Sequence, residues 1–448
     1  MRINVDFTKP CGKIKPMHAV GQPPILIGDD TDLFHYLTEA GIPRSRLHDV
    51  SYANTHYVDI PNIFRDFSAD ENDPAAYRFA LTDALIKGLV DAGVEPYFRL
   101  GVSIENQRLV DRFTTYPPED FEKWARVCEH IIRHYNEGWA DGFHYGIRYW
   151  EIWNEADDCV DRSRSSMWCG TKEEYFRLYD VTAKHLKACF GDTIKVGGYA
   201  ATGVNKVDLD LNYEGLDHPA QNDDEFRIEF IHDFFRYIKA HQSPLDFFSY
   251  HSYDAVEQVA QQVRYYDAIL EKYGYAYAER HLNEWNACCT VPGVNWREKD
   301  HLAFAANNLA MMLAMQHEKV DSLYYYDAGI TRFPFAGLFN SETLLPTNSY
   351  FVFHMFNTLY RFGTEVACTC DVPGVYALAA TNGKRSALVL ANTGNKPVTF
   401  DLECLGVDYS DTEVRRISKA YRYTPTGERV QNGQFKLSPY TCAEIRFY

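Results

Sequence analysis

From residue 77 to residue 329 the chain alternates two textures. YRFALTDALIKGLVDA at 77–92 has apolar residues three and four apart, the spacing of one helix face, and leads through Gly93 into the compact apolar run EPYFRLGVS at 95–103. The unit recurs: helix 119–137 then strand 147–153, helix 172–190 then 193–200, helix 224–241 then 245–253, helix 257–273 then 278–287, and helix 298–317 then 321–329. Runs at 17–21 and 45–50 complete eight strands. Strands alternating with helices of this length predict a parallel sheet, and eight of them predict a closed (β/α)8 TIM barrel. A doubly wound open sheet is the alternative and usually has fewer strands.

After about residue 361 the rhythm stops. GVYALAAT, RSALVLANT, PVTFDLE and TCAEIRFY are short β-rich runs separated by NGK- and GNK-type turns, which predicts a small antiparallel β-sandwich. The expected organisation is an N-terminal strand within 1–15 joining that sandwich, a catalytic barrel over 16–361 and an accessory sandwich over 362–448.

Composition narrows the partners. A formal charge of −17 disfavours nucleic acid and anionic membrane, both of which repel such a surface. No window holds enough consecutive apolar residues for a spanning helix. MRINVDFTKP lacks the basic and apolar regions of a secretory signal, so a cytoplasmic setting is expected, or a secreted or periplasmic one if a signal was removed. The 11 Cys residues include no CxxC pair, and free thiols are expected, including Cys159 and Cys169, which flank a polar segment carrying Trp168.

In a barrel of this kind chemistry collects at the C-terminal strand tips. Strand four, IRYWEIWNEAD, ends in Asn154-Glu155, and strand seven, HLNEWNA, carries Glu284. His48 closes strand two, His251 and Tyr253 close strand six, and Asp327 closes strand eight. Two carboxylates facing across a cleft suit glycosidic bond hydrolysis: one, kept protonated, donates to the leaving oxygen, and the other attacks the anomeric carbon or activates water. Spacing along the chain leaves the retaining and inverting versions both open. Asn154 is placed to hydrogen-bond a sugar hydroxyl, His48 and His251 to contact substrate, and Tyr253 either to pack or to orient the nucleophile. Trp285 is equally a sugar platform or a wall; Trp150 and Trp153 read as packing, and Glu105 is a weaker acid candidate.

WEIWNEAD resembles the acid/base motif of clan A glycoside hydrolases. Together with SRLHDV, KVGGYA, DFFSYHSY and FAGLFNSETLLPTNSYFVFHMFNTL, the pattern resembles glycoside hydrolase family 39, the family of β-xylosidases and α-L-iduronidases. The resemblance implies a retaining double displacement, with Glu155 as acid/base and Glu284 as nucleophile, and with Asn154, His48, His251 and Tyr253 on the sugar or the nucleophile. It implies β-xylosidase-like exo-activity on an oligosaccharide, with arabinosidase, uronidase or endo-glycanase specificity as alternatives. Three positions depart from the family pattern: Ala156 and Tyr199 each stand where Pro is usual, and YYYDAG lacks an expected Trp. They bear on which sugar is bound more than on the reaction.

No metal and no cofactor is expected. GGYAATG at 197–203 lacks the GxGxxG spacing of a dinucleotide site, and the chain has no HExxH. A non-catalytic carbohydrate-binding homologue is the remaining rival, and the presence of both acids argues against it. A glycoside partner is expected, with neither nucleic acid nor membrane, and a homo-oligomer is possible.

Overall fold

The computed structural model describes all residues except 25–32, 53–54, 57, 105–114, 205–212, 217, 288–289, 331–334 and 431–432. Eight parallel strands close into a barrel: β1 (Ala19–Gly21), β2 (Arg44–Leu47), β3 (Glu95–Leu100), β4 (Tyr149–Ile152), β5 (Lys195–Ala201), β6 (Phe247–Ser252), β7 (Glu279–Trp285) and β8 (Ser322–Tyr325), with β8 pairing back onto β1. This is the expected (β/α)8 barrel.

The outer helices begin where the sequence supplies partners for their orphan N–H groups. Thr171 and Glu174 form a reciprocal capping box at the start of Lys172–Phe190. Asp120 accepts from the Lys123 N–H at the start of Phe121–Asn136, and Asn222 accepts from Glu225 N–H at the start of Asp223–His241.

The barrel interior is layered, and the layers place the site. At the N-terminal floor, Arg44 pairs with Glu95 and Lys195 with Glu279. Above them an aromatic layer of Tyr97, Tyr149, Phe247, His281 and Tyr324 fills the bore, with Tyr97 stacked on Tyr149 at 5.4 Å and Phe247 on His281 at 5.0 Å. The next layer is polar: Arg46, Glu151, Ser249 and Asn283. The mouth opens above it. Much of the chain's aromatic content is therefore packing, both in this bore and between strands and helices.

Arg2–Lys13 and the residues after the barrel together build a nine-stranded sheet in the order Arg422–Pro425, Thr412–Ile417, Cys442–Phe447, Ser386–Asn392, Val375–Thr381, Thr364–Cys370, Arg2–Lys13, Val398–Leu405, Gly433–Leu437. Arg2–Lys13 pairs antiparallel with Thr364–Cys370 and parallel with Val398–Leu405, so one parallel ladder interrupts an otherwise antiparallel sheet. Ile3, Val5, Leu388, Phe400, Leu437 and Ile445 share one core, while Ala387, Val389 and Ala391, on the other face of the same central strand, join the barrel's core cluster. Ser386–Asn392 is thus buried on both faces, which explains its nearly unbroken apolar sequence.

Candidate active site

Strict alternation along β7 turns Glu279, His281 and Asn283 into the bore and would turn Glu284 outward toward the helices. The ladder is broken at that point. Leu282 pairs with Tyr250 but Glu284 pairs with His251, a register shift on the β6 side matched by one on the β8 side. This bulge brings Asn283 and Glu284 to the same interior, the way bulges re-aim side chains beside active sites. Strand four achieves the equivalent by backbone conformation. Trp153 (φ 71°) and Glu155 (φ 44°) both adopt the left-handed region, as do Asp49 (φ 53°) and Ala200 (φ 53°) at neighbouring tips. Each such non-glycine residue costs about 1–3 kcal/mol and persists only where its surroundings over-determine it. Here Trp153 N–H bonds Leu100 O at 2.7 Å, its indole N–H bonds Met167 O at 2.9 Å, and Glu155 N–H bonds Ala200 O at 3.1 Å. Gly101 permits the approach, because a Cβ there would lie 3.2 Å from Trp153 Cα.

The two acids meet over His251. His251 Nδ1 lies 2.7 Å from Glu155 Oε1 and 3.4 Å from Glu284 Oε2, and the ligand atoms of all three residues fall within 4.8 Å of one another. Glu284 is almost fully buried and clamped on both oxygens: Arg46 Nη1 donates to Oε1 and the Tyr253 hydroxyl to Oε2, each at 2.7 Å. Glu155 is more open, its side chain 17% exposed.

Their electrostatics differ accordingly. Burial, reinforced by the charges of Asp158 and Asp157, pushes the Glu155 carboxyl up to about 8, so it carries its proton at neutral pH. Burial also raises Glu284, but His251, Arg46 and the Tyr253 hydrogen bond pull the other way. His251 is brought down to about 4, chiefly by burial, and is therefore a neutral imidazole between the acids. Burial holds the Tyr253 phenol protonated, which keeps it a donor.

Asn154 is 1% exposed, and its Oδ1 accepts from Arg46 Nη2 at 2.6 Å, so its amide N–H2 is turned away from the guanidinium. His48 has both ring nitrogens in use: Arg99 Nε donates to Nδ1 and Nε2 faces Asp49 Oδ1, both at 3.2 Å. Instead of offering an edge to a ligand, His48 links the β2 tip to a buried Arg99–Asp59–Ser103 network. Asp327 is buried, raised to about 8 chiefly by burial, and close enough to Asp49 and Glu284 to be raised further by their charges. Trp285 requires a correction. It is 0% exposed and edge-on to Tyr325 in the layer between strands and helices, so it presents no face to a sugar: the bulge that turns Glu284 inward leaves Trp285 outward.

Glu105 and most of the segment after β3 lie outside the described residues. In the segment after strand four, Trp168 is fully buried against Trp153, and Asp158 and Arg162 tie the loop together through Ser165, Ser166 and the carbonyls of Ala156 and Cys159. Cys159 and Cys169 are free thiols with separate partners, Asp161 O and Thr115 Oγ1. Tyr199 fills its place with a ring packed among Tyr175, Phe230 and Phe234 and a hydroxyl on Asp157.

Sequence reasoning placed Arg46 at the tip of strand two without a role and passed over Glu151. Both are fully buried charges in mid-strand, where burial of an ion demands a partner, and that demand was the available signal. Arg46 donates through Nε to Glu151 Oε2 at 2.8 Å, and Ser249 Oγ and Asn283 Nδ2 donate to Glu151 Oε1 at 2.6 Å.

Glu155, His251 and Glu284 have a spacing a cation could use, as do Glu129, His185 and Cys189 between two outer helices. In the first cluster a guanidinium already sits 2.7 Å from Glu284, which opposes a second positive charge there.

Comparison with known proteins places this architecture. The model for "Glycosyl hydrolases family 39" matches residues 1–322. A beta-xylosidase of Geobacillus stearothermophilus is 23% identical over 348 residues, covering 68% of this chain, and one of Caldicellulosiruptor saccharolyticus is 23% identical over 343 residues, covering 71%. The chain matches 62% and 64% of those proteins' own lengths, less than two thirds of either. Among solved structures, a glucosidase from Croceicoccus marinus superposes with a TM-score of 0.77 at 20% identity, over 100% of this chain and 98% of that one. A GH39 beta-xylosidase from Caulobacter crescentus gives 0.67 at 19%, over 100% and 99%. At these identities the structural likeness speaks for the fold. The family match covers well over half of the chain and includes both acid-bearing strand tips, and on it the chain belongs to glycosyl hydrolases family 39.

Proposed function

We propose that this protein is a retaining glycoside hydrolase, with Glu284 as nucleophile, Glu155 as acid/base and an exo-acting, β-xylosidase-like specificity. One observation carries the reading: a clamped carboxylate and a second carboxyl held near 8 have oxygens within 4.8 Å of each other, on the short side that double displacement needs, since an inverting pair is held roughly 6.5–9.5 Å apart to admit a water.

In the first half-reaction a Glu284 oxygen attacks the anomeric carbon while the bond to the leaving oxygen breaks. The electron pair stays on that oxygen, and the Glu155 proton joins it. In the second, water gives a proton to Glu155 and its oxygen attacks the anomeric carbon, returning the ester's electron pair to Glu284. Esterification removes the negative charge from Glu284, which eases ionisation of its neighbour and suits Glu155 to act as base in that step. Asn154, held through Oδ1, offers its N–H2 to a sugar hydroxyl. Tyr253 orients the nucleophile, His251 couples the two acids, His48 fixes the β2 tip, and Asp327, protonated near neutrality, offers a hydroxyl contact. Trp285 has no part in the sugar site.

The specificity rests on the beta-xylosidase relatives, and the Croceicoccus glucosidase keeps glucosides in view. A panel of p-nitrophenyl xyloside, arabinosides, glucoside, galactoside and uronide, with the first-formed product followed by NMR, tests both parts. Xyloside turnover with retained anomeric configuration is expected. An inverted first product would overturn the mechanism, and preference for another glycoside would overturn the sugar.

A further inference from the structure

Beneath the nucleophile lies a carboxylate that the proposed chemistry does not use. Glu151 is 0% exposed, one layer below the mouth, and receives donors from four strands: Arg46 on β2, Tyr97 on β3, Ser249 on β6 and Asn283 on β7. Arg46 is its cationic partner at hydrogen-bond distance among the described residues. That same guanidinium serves Glu284 through Nη1 and Asn154 through Nη2. One positive charge therefore stands between two carboxylates, both within 2.7 Å of it.

We infer that Glu151 is a positioning residue that divides the Arg46 charge with Glu284 and so balances the two half-reactions. The inference rests on the double displacement proposed above. When Glu284 attacks, it gives up its negative charge to the new C–O bond, and an undivided guanidinium would oppose that loss by stabilising the ionised carboxylate. When the ester breaks, Glu284 recovers the charge, and the same guanidinium would assist it. A counter-charge on Arg46 thus favours the first step at the expense of the second. It also fixes the planar fork so that Nη1 reaches Glu284 while Nη2 reaches Asn154. The groups facing Glu284 are Arg46, His251, Tyr253, Glu155 and, further off, Asp327; those facing Glu151 are Arg46, Tyr97, with His281 behind it, Ser249 and Asn283.

The network is built to survive loss of the charge. Asn283 Oδ1 is buried without a partner among the described residues. In a Glu151→Gln variant the amide oxygen can keep facing Arg46 while its N–H2 meets Asn283 turned over to present Oδ1, and the Ser249 hydroxyl rotates to accept.

The test uses 2,4-dinitrophenyl 2-deoxy-2-fluoro-β-D-xyloside, which separates formation of the covalent intermediate from its turnover. For Glu151→Gln, inactivation about tenfold slower than wild type is expected, with reactivation faster and the acid limb of inactivation about one pH unit lower, the equivalent of one unit on the nucleophile. Glu151→Asp, which keeps the charge, should restore the acid limb. Should Glu151→Gln not fold, Tyr97→Phe removes a donor from Glu151, strengthens its draw on Arg46 and is expected to shift both rates the opposite way. Both half-reactions slowing in parallel, or neither changing, would overturn the inference, because damage to the fold does not accelerate one step. Wild-type protein that hydrolyses xylosides and is never labelled would overturn the double displacement and this role with it.

Discussion

β7 carries a glutamate at each end, and the two have opposite fates. Glu279, at the floor, meets Lys195, His281 Nε2 at 3.1 Å and the Tyr149 hydroxyl at 3.0 Å, and these partners, against the cost of burial, hold its carboxyl well below the usual range. Glu95, between Arg44 and Arg148, is lowered in the same way. Five residues on from Glu279, Glu284 is raised, and across the mouth Glu155 and Asp327 both stand near 8. The floor gives each acid a cation and contributes stability. The mouth crowds acids around one buried guanidinium and leaves a proton to be moved. Residue type does not decide the role; the partners supplied by neighbouring strands do.

Substitutions at the two ends should separate cleanly. The largest effect is expected from Glu284→Gln, a loss of activity of about 10⁴-fold or more with no loss of thermal stability, read from kcat/KM and a melting curve. Glu155→Ala should lower kcat/KM for glycosides with poor leaving groups by about 10²–10⁴-fold while sparing kcat/KM for dinitrophenyl glycosides, whose first step needs no proton. Equal losses on both substrates would refute the acid role. At the floor, Glu279→Gln should leave kcat unchanged and cost about 1–3 kcal/mol of stability, measured by denaturant unfolding, because Lys195 loses its counter-charge. Trp285→Phe should change KM little and cost about 1 kcal/mol through packing alone; a large KM effect would return Trp285 to the sugar site.

The same contrast fixes pH dependence. The raised Glu155 carboxyl contributes stability that is fully present below its unfolded value, near 4.5, and is lost as pH rises toward 8. The lowered Glu279 carboxyl contributes stability present above 4.5 and lost as pH falls toward its folded value. Wild type should therefore lose activity along an alkaline limb near pH 8 as Glu155 deprotonates, and Glu155→Gln should melt about 1–3 °C higher than wild type at pH 8 but not at pH 4.

Much of this architecture was open to reading from the chain, because helix and strand periods differ and alternate without interruption. The expected helix at 172–190 is Lys172–Phe190, and the expected strand at 147–153 contains β4. The acids were legible because strand tips in such a barrel point to one mouth. What escaped depends on local departures from periodicity. The β7 bulge reverses the inward set after Asn283, so Glu284 faces the bore and Trp285 the helices, and nothing in HLNEWNA announces the shift. His48 belongs to an Arg99–Asp59–Ser103 network in which Arg99 reaches back 51 residues to His48 and 40 to Asp59. Glu151 carries a legible signal, a charge within the apolar run YWEI, but not the identity of its partner, since 105 residues separate it from Arg46, and RSRL sets Arg46 in no such contrast.

The most direct test of the account is the covalent intermediate. Wild-type protein treated with 2,4-dinitrophenyl 2-deoxy-2-fluoro-β-D-xyloside, digested and mapped by mass spectrometry, should carry one fluoroxylosyl group on Glu284. A label on Glu155 or another side chain, or inhibition with no covalent adduct, would contradict it.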